Sequence, residues 1–192
     1  MQPHRIEHNP DFIGRKHEIE RLDDLLSRGE SSFLVVYGRR RVGKTELIEQ
    51  YFRNRCVLKF EGIEPDRAGE GMAQVDQVKS CQKRLARYVE NPLIGRASCD
   101  GWADFFELLD ETAAKENVVV YFEEIQWLAG YQSDFFAQLK PFWDDSWRHN
   151  KNLVLVICGS SVSFIVKQFL SNKALYSRAQ EEIHLKPFNL IE

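Results

Sequence analysis

Ser32-Phe33-Leu34-Val35-Val36-Tyr37-Gly38-Arg39-Arg40-Arg41-Val42-Gly43-Lys44-Thr45 changes character within one short stretch, and its reading decides the fold. Ser32–Tyr37 is rich in β-forming residues and too short for a helix, which predicts a strand buried on both faces. The next eight residues fit G-x-x-x-x-G-K-[ST] at every fixed position. From Thr45 to Asn54 the apolar residues Leu47, Ile48, Tyr51 and Phe52 recur at helical spacing. Strand, glycine loop and helix in that order are the context the motif requires. The glycines let the loop fold tightly, so that backbone N–H groups and the helix N-terminus face an anion. Gly38, Arg39, Arg40, Arg41, Val42, Gly43, Lys44 and Thr45 are therefore the candidate cradle for the phosphates of ATP or ADP. Lys44 is expected to reach the β and γ phosphates, and the Thr45 hydroxyl to ligate a bridging Mg²⁺. The side chains of Arg39–Arg41 either enrich the phosphate field or point to solvent.

The same alternation continues outward. Upstream, Ile19, Leu22, Leu25 and Leu26 predict a helix over Arg15–Ser27, stopped at Gly29. Downstream, Cys56–Phe60 reads as a strand and completes a βαβ unit. Between Glu61 and Gly101 the chain is polar, with one helix near Gln74–Val89. Lys79, Lys83 and Arg87 lie at i, i+4 and i+8 on it, either a solvated face or a basic stripe for DNA. A helix over Gly101–Lys115, capped by Asp100, turns Trp102, Phe105, Phe106 and Leu109 inward. Strands follow at Val118–Phe122, Leu153–Cys158 and Glu181–Leu185. Between the first two, an aromatic-rich helix over Ser133–Trp147 is expected to be interrupted at Pro141. Its Phe135, Phe136, Phe142, Trp143 and Trp147 read as core rather than a base-stacking platform. Ser160 or Ser161 can cap a helix through about Leu170. Apolar strands alternating with helices predict an α/β fold with a mostly parallel sheet and helices on both faces, as one domain over 1–192.

Composition narrows the class. The 192 residues are 43% hydrophobic and 29% charged, as in a folded globular chain. Twenty-six basic against twenty-nine acidic side chains leave −3, so there is no global field for nucleic acid or an anionic membrane. The longest apolar runs fall far below the ~18–20 residues of a membrane span. The polar start carries no secretory core, and the expected location is the cytoplasm. Cys56, Cys81, Cys99 and Cys158 have no CxxC spacing and read as reduced thiols.

A phosphate loop needs an acidic partner to hold the metal from the far side and to orient water. Val118-Val119-Val120-Tyr121-Phe122-Glu123-Glu124 supplies it at the C-terminal end of a strand, where ligands of parallel sheets bind. Glu123 is assigned to the metal and Glu124 to the water.

With these residues in place, the chain resembles the prokaryotic ATPases of the AAA+/STAND type, specifically the archaeal-type ATPase family. Phe12-Ile13-Gly14-Arg15 with Glu18 and Leu22 is similar to its opening motif, and Tyr37–Thr45 to its phosphate loop. Phe122–Leu128 resembles its Walker B segment, and Cys158-Gly159-Ser160-Ser161 its sensor strand. Leu175-Tyr176-Ser177-Arg178 and Leu185-Lys186-Pro187-Phe188 trail it. The resemblance implies a P-loop NTPase core, with Phe12 and Ile13 near the adenine unless they are simply core. It implies that Ser160 senses the γ-phosphate unless it is only a helix cap. It makes Arg178 a candidate to reach a phosphate in its own or a neighbouring subunit, hence self-association through the ATP site; the alternative is a surface salt bridge. Three departures qualify it. Glu123 stands where the family has Asp, moving the carboxylate outward by ~1.5 Å; Ala174 and Ser177 replace expected Pro and Gly; and the sequence stops soon after Phe188, where the family continues into a helical lid and winged helix. The expectation is a lidless core that hydrolyses ATP slowly. The alternatives are a nucleotide-dependent switch with negligible hydrolysis and a DNA-associated ATPase.

Overall fold

In a computed structural model of the chain, which describes residues 1–64, 73–112, 116–132, 134–170 and 177–188, the predicted strands form one sheet. Its members are β1 (Ser32–Tyr37), β2 (Cys56–Glu61), β3 (Val118–Glu123), β4 (Val154–Gly159) and β5 (Glu181–His184). They lie in the order β2-β3-β4-β1-β5, and every neighbouring pair is parallel. Every residue of β1, β3 and β4 is buried. This is why those strands read as continuous apolar runs: parallel strands need crossovers, and the crossover helices cover both faces.

The two faces have separate cores. Leu34, Val36, Val119, Tyr121, Val156 and Cys158 pack against α1 (Lys16–Ser27) and α2 (Lys44–Phe52) through Leu22, Leu25, Leu47, Ile48 and Phe52. Phe33, Val35, Phe60, Val120, Phe122 and Ile157 face the other way. There they meet α3 (Gln74–Tyr88), α4 (Trp102–Thr112), α5 (Ile125–Leu128), α6 (Asp134–Asp145) and α7 (Val162–Ile165). The aromatic helices supply the bulk of this layer: Phe106 lies 5.2 Å from Phe135 and 6.1 Å from Trp147, ring centre to ring centre. Phe135, Phe136, Trp143 and Trp147 are core, as expected. Lys79, Lys83 and Arg87 lie on the exposed face of α3.

Two local expectations are corrected. α6 runs through Pro141 without interruption. Proline removes one hydrogen bond to the preceding turn, but Phe135, Phe136, Leu139 and Trp143 are all buried on one side of the helix and hold it across the defect. Asp100 does not cap α4. Instead Gln138 Oε1 of α6 accepts the Ala103 N–H at 2.8 Å, while the Asp104 carboxylate accepts the Asp100 N–H at 2.8 Å. The cap is tertiary, so local sequence could not reveal it.

Before α1 the chain runs along the exposed edge of β2. The His4 N–H donates to Val57 O of that strand and the Gln2 N–H to Tyr88 O at the end of α3, each at 2.7 Å, which covers part of the edge. Among the described residues no helix is long and apolar enough to cross a membrane. Register brings the C-terminal ends of the strands level: Tyr37 is opposite Gly159, and Glu61 opposite Glu123. The loops leaving that edge carry the candidate site.

Candidate functional site

The loop from Gly38 to Gly43 leaves β1 beside β5. A Cβ on Gly38 would lie 2.2 Å from the Leu185 carbonyl oxygen, whose residue donates its own N–H to Tyr37 O at 2.7 Å. Only glycine fits that crossing. Gly43, at φ 90°, is the N-cap of α2 and offers no capping side chain, so the first-turn amides of α2 are left facing the loop. Lys44 is buried, and its Nζ donates to Arg39 O at 2.9 Å, so the ammonium curls back beneath the loop. Arg39, Arg40 and Arg41 are exposed. Arg40 pairs with Glu64 at 2.6 Å and lies 5.0 Å over the Trp127 ring.

Glu123, the last residue of β3, faces α2 and is 5% exposed. Its Oε1 accepts the Thr45 hydroxyl, although the two residues are 78 positions apart. Its Oε2 lies 2.5 Å from Lys59 Nζ of β2. Lys59 also pairs with Glu49 of α2 at 2.9 Å, and Glu49 accepts from His4 Nε2 at 3.1 Å. The His4 hydrogen bond, with help from Lys59, lowers the Glu49 pKa to about 2 against the opposing effect of burial. Burial works against the Lys59 charge too, yet the Glu123 and Glu49 carboxylates outweigh it and raise its pKa. Thr45 and Glu123 present a hydroxyl and a carboxylate side by side. This all-oxygen pair suits a hard divalent cation that takes its other ligands from phosphates and water. Among the described residues no group of three or more His, Cys, Asp or Glu gathers into a metal cage.

Glu124 leaves the strand in the left-handed conformation at φ 50°, which turns its side chain away from that of Glu123. One carboxylate oxygen, Oε2, accepts from Ser160 Oγ and from Gln126 Nε2, both at 2.6 Å. Gln126 is 1% exposed, and its Oε1 would meet a Cβ on Gly159 at 2.9 Å, so the glycine makes room for the amide. Ser160 is thus spent on Glu124 rather than on a helix cap; Ser161 holds the N-cap position of α7 without a side-chain bond. The structure brings Ser160, Glu124, Glu123, Thr45 and Lys44 to one edge of the sheet.

Beside Gly43 lies a cavity of about 130 Å³, lined by Phe12, Ile13 and Phe188 with Asn9, Arg15 and Glu46. Ile13 is 69% exposed and Phe188 51%, while Phe12 rests partly on the core. The buried Arg15 binds this cavity to the loop: its guanidinium donates to Val42 O at 2.7 Å and lies 4.0 Å over the Phe188 ring. Arg178 is not brought to this edge. It precedes β5, where the Gln180 N–H donates to Phe33 O at the start of β1. The length of β1, roughly 20 Å at ~3.3 Å per residue, separates it from the Gly38–Gly43 loop. There Arg178 forms a two-pronged pair with Asp144, both contacts at 2.6 Å, on the rim of a different cavity of about 590 Å³.

Sequence reasoning assigned no role to Lys59, Glu49, Gln126 or Phe188. A lysine within an apolar strand was the one legible signal among them, because a buried ammonium demands a partner.

Residues 12–191 match the family described as "ATPase domain predominantly from Archaea". The chain is 29% identical over 177 residues to an uncharacterized protein of Methanocaldococcus jannaschii, covering 92% of this chain and 36% of that protein. Its fold is similar to the Walker-type ATPase PABY2304 of Pyrococcus abyssi, with TM-score 0.69 and 20% identity over 100% of this chain and 57% of that one. It is also similar to the Aeropyrum pernix ORC2 protein, solved in ADPNP-ADP complexes, with TM-score 0.62 and 15% identity over 93% and 50% of the two chains. The chain therefore spans about a third of the curated relative and about half of each solved one.

Proposed function

Because the chain belongs to the family of ATPase domains found predominantly in Archaea, we propose that it binds ATP or ADP with Mg²⁺ at Gly38–Thr45 and hydrolyses ATP to ADP and phosphate. The observation that carries this reading is the meeting of the Thr45 hydroxyl with the Glu123 carboxylate beside a loop closed by Lys44. The loop amides and Lys44 hold the phosphates; the ammonium exchanges the Arg39 carbonyl for phosphate oxygens. The base enters the apolar cavity between Phe12, Ile13 and Phe188, and Arg15 keeps that wall in step with the loop. Thr45 and Glu123 would hold Mg²⁺, which when bound would supply positive charge to offset that of the phosphates. Glu124 orients the attacking water and accepts its proton. Ser160 and Gln126 fix the orientation of that carboxylate. Arg178, paired with Asp144, has no part in this reading.

A second reading has its own observation. Both Ser160 and Gln126 already occupy Glu124 Oε2, which favours a nucleotide-dependent switch in which hydrolysis is negligible. One pair of measurements separates the two readings. Melting with ATP and ADP, with and without Mg²⁺, tests binding; steady-state phosphate release tests turnover. No melting shift with either nucleotide removes both readings, and a shift without phosphate release leaves the switch.

A further inference from the structure

Lys59 lies in the middle of β2 with only 9% of its side chain exposed, on the sheet face covered by α2. An ammonium cannot stand there alone. Its Nζ lies 2.5 Å from Glu123 Oε2, 2.9 Å from Glu49 Oε1 and 5.6 Å from the centre of the Tyr121 ring. The two oxygens of Glu123 are thereby divided: Oε1 takes the Thr45 hydroxyl of the phosphate loop, and Oε2 takes Lys59. Glu49 and Glu123 come from α2 and β3, so one lysine ties the helix behind the loop to the strand that carries the acid.

A carboxylate as buried as Glu123 needs a positive partner whether or not nucleotide is present, whereas a magnesium ion held chiefly by phosphates arrives only with the nucleotide. We propose that Lys59 is the resident counter-charge of Glu123, standing in the nucleotide-free protein for the charge that a divalent cation brings and keeping Oε1 turned toward Thr45. The proposal rests on the assignment of Glu123 to the metal side. It makes Lys59 a positioning residue that holds the Glu123 carboxylate in place before any nucleotide arrives. Mg²⁺ alone then gains little at this site, because a fixed cation already holds Oε2. Without Lys59, two neighbouring carboxylates are left for a metal ion to neutralise.

The test uses the full chain, no nucleotide, and Mg²⁺ alone as the probe. Lys59→Met should lower the melting temperature by roughly 5–15 °C, the consequence of leaving a buried acid unpaired. Millimolar Mg²⁺ should recover half or more of that loss, KCl of equal ionic strength should not, and wild type should respond to neither. Lys59→Met with Glu123→Gln should recover most of the lost melting temperature, Glu49 keeping its bond to His4, and should lose the Mg²⁺ response. An unchanged melting temperature for Lys59→Met, or equal recovery by KCl, overturns the proposal. If Lys59→Met does not fold, the double variant decides: a folded double variant supports the counter-charge, and an unfolded one overturns it. Since nucleotide is never added, a failure of nucleotide binding is read separately.

Discussion

In the proposed reading Lys44 serves binding and Glu124 the chemistry. The Lys44 ammonium donates to the Arg39 carbonyl under the loop. A ligand at ~100 Kd stabilises a folded protein by about 2.7 kcal/mol, which for a chain of this size raises melting by roughly 5–10 °C. Wild type is expected to show that shift with ATP and Mg²⁺, and Lys44→Ala to lose most of it in thermal denaturation. Among the described residues the Glu124 carboxylate accepts from Ser160 and Gln126, which lie outside the loop. Glu124→Gln should therefore keep the melting shift while lowering steady-state phosphate release by about 10²–10⁴. A variant that loses both together would place Glu124 in binding instead.

At the scale of elements, two close contacts carry measurable consequences. The crossing of the loop behind β5 leaves no space at Gly38, where an added Cβ meets Leu185 O at 2.2 Å. Gly38→Ala should cost about 1–3 kcal/mol in urea denaturation, because β5 or the loop must move. Pro141 offers the opposite case. It is exposed, on a helix whose inward residues are already packed. Pro141→Ala restores an N–H that can donate to the Ala137 carbonyl, and should raise stability by roughly 1–2 kcal/mol after the greater freedom of the unfolded chain is counted. The α6 example shows why the break predicted at proline did not occur: local propensity opposed a row of aromatic anchors, and burial outweighed it.

Across the whole molecule, the chain of polar contacts through His4, Glu49, Lys59 and Glu123 joins the segment before α1, α2, β2 and β3. Glu49 titrates near 2 in the folded protein against an ordinary 4.5. A depressed carboxyl pKa contributes stability that is complete above about 4.5 and is lost as pH falls through about 2. Urea denaturation between those limits should show wild type weakening steadily with acid. Glu49→Gln should start less stable at neutral pH and lose less on the way down; parallel profiles for the two proteins would mean that Glu49 is not stabilised by these partners.

Sequence alone determined the features whose cause is local. The strand, glycine loop and helix from Ser32 to Asn54, the paired acids after β3 and the apolar strands are legible because steric freedom, fixed spacing and burial on both faces each constrain neighbouring residues. The positions of Phe12, Ile13 and Ser160 came from a family resemblance rather than from spacing. Tertiary structure alone decided what depends on pairing between distant segments: Thr45 on Glu123, Lys59 between two acids, and Gln126 with Ser160 on Glu124. It likewise left Arg178 at the opposite edge with Asp144. Each of these contacts follows from strand order and register, and charges seek whichever partner the assembled sheet brings within a few ångströms, not the nearest in the chain.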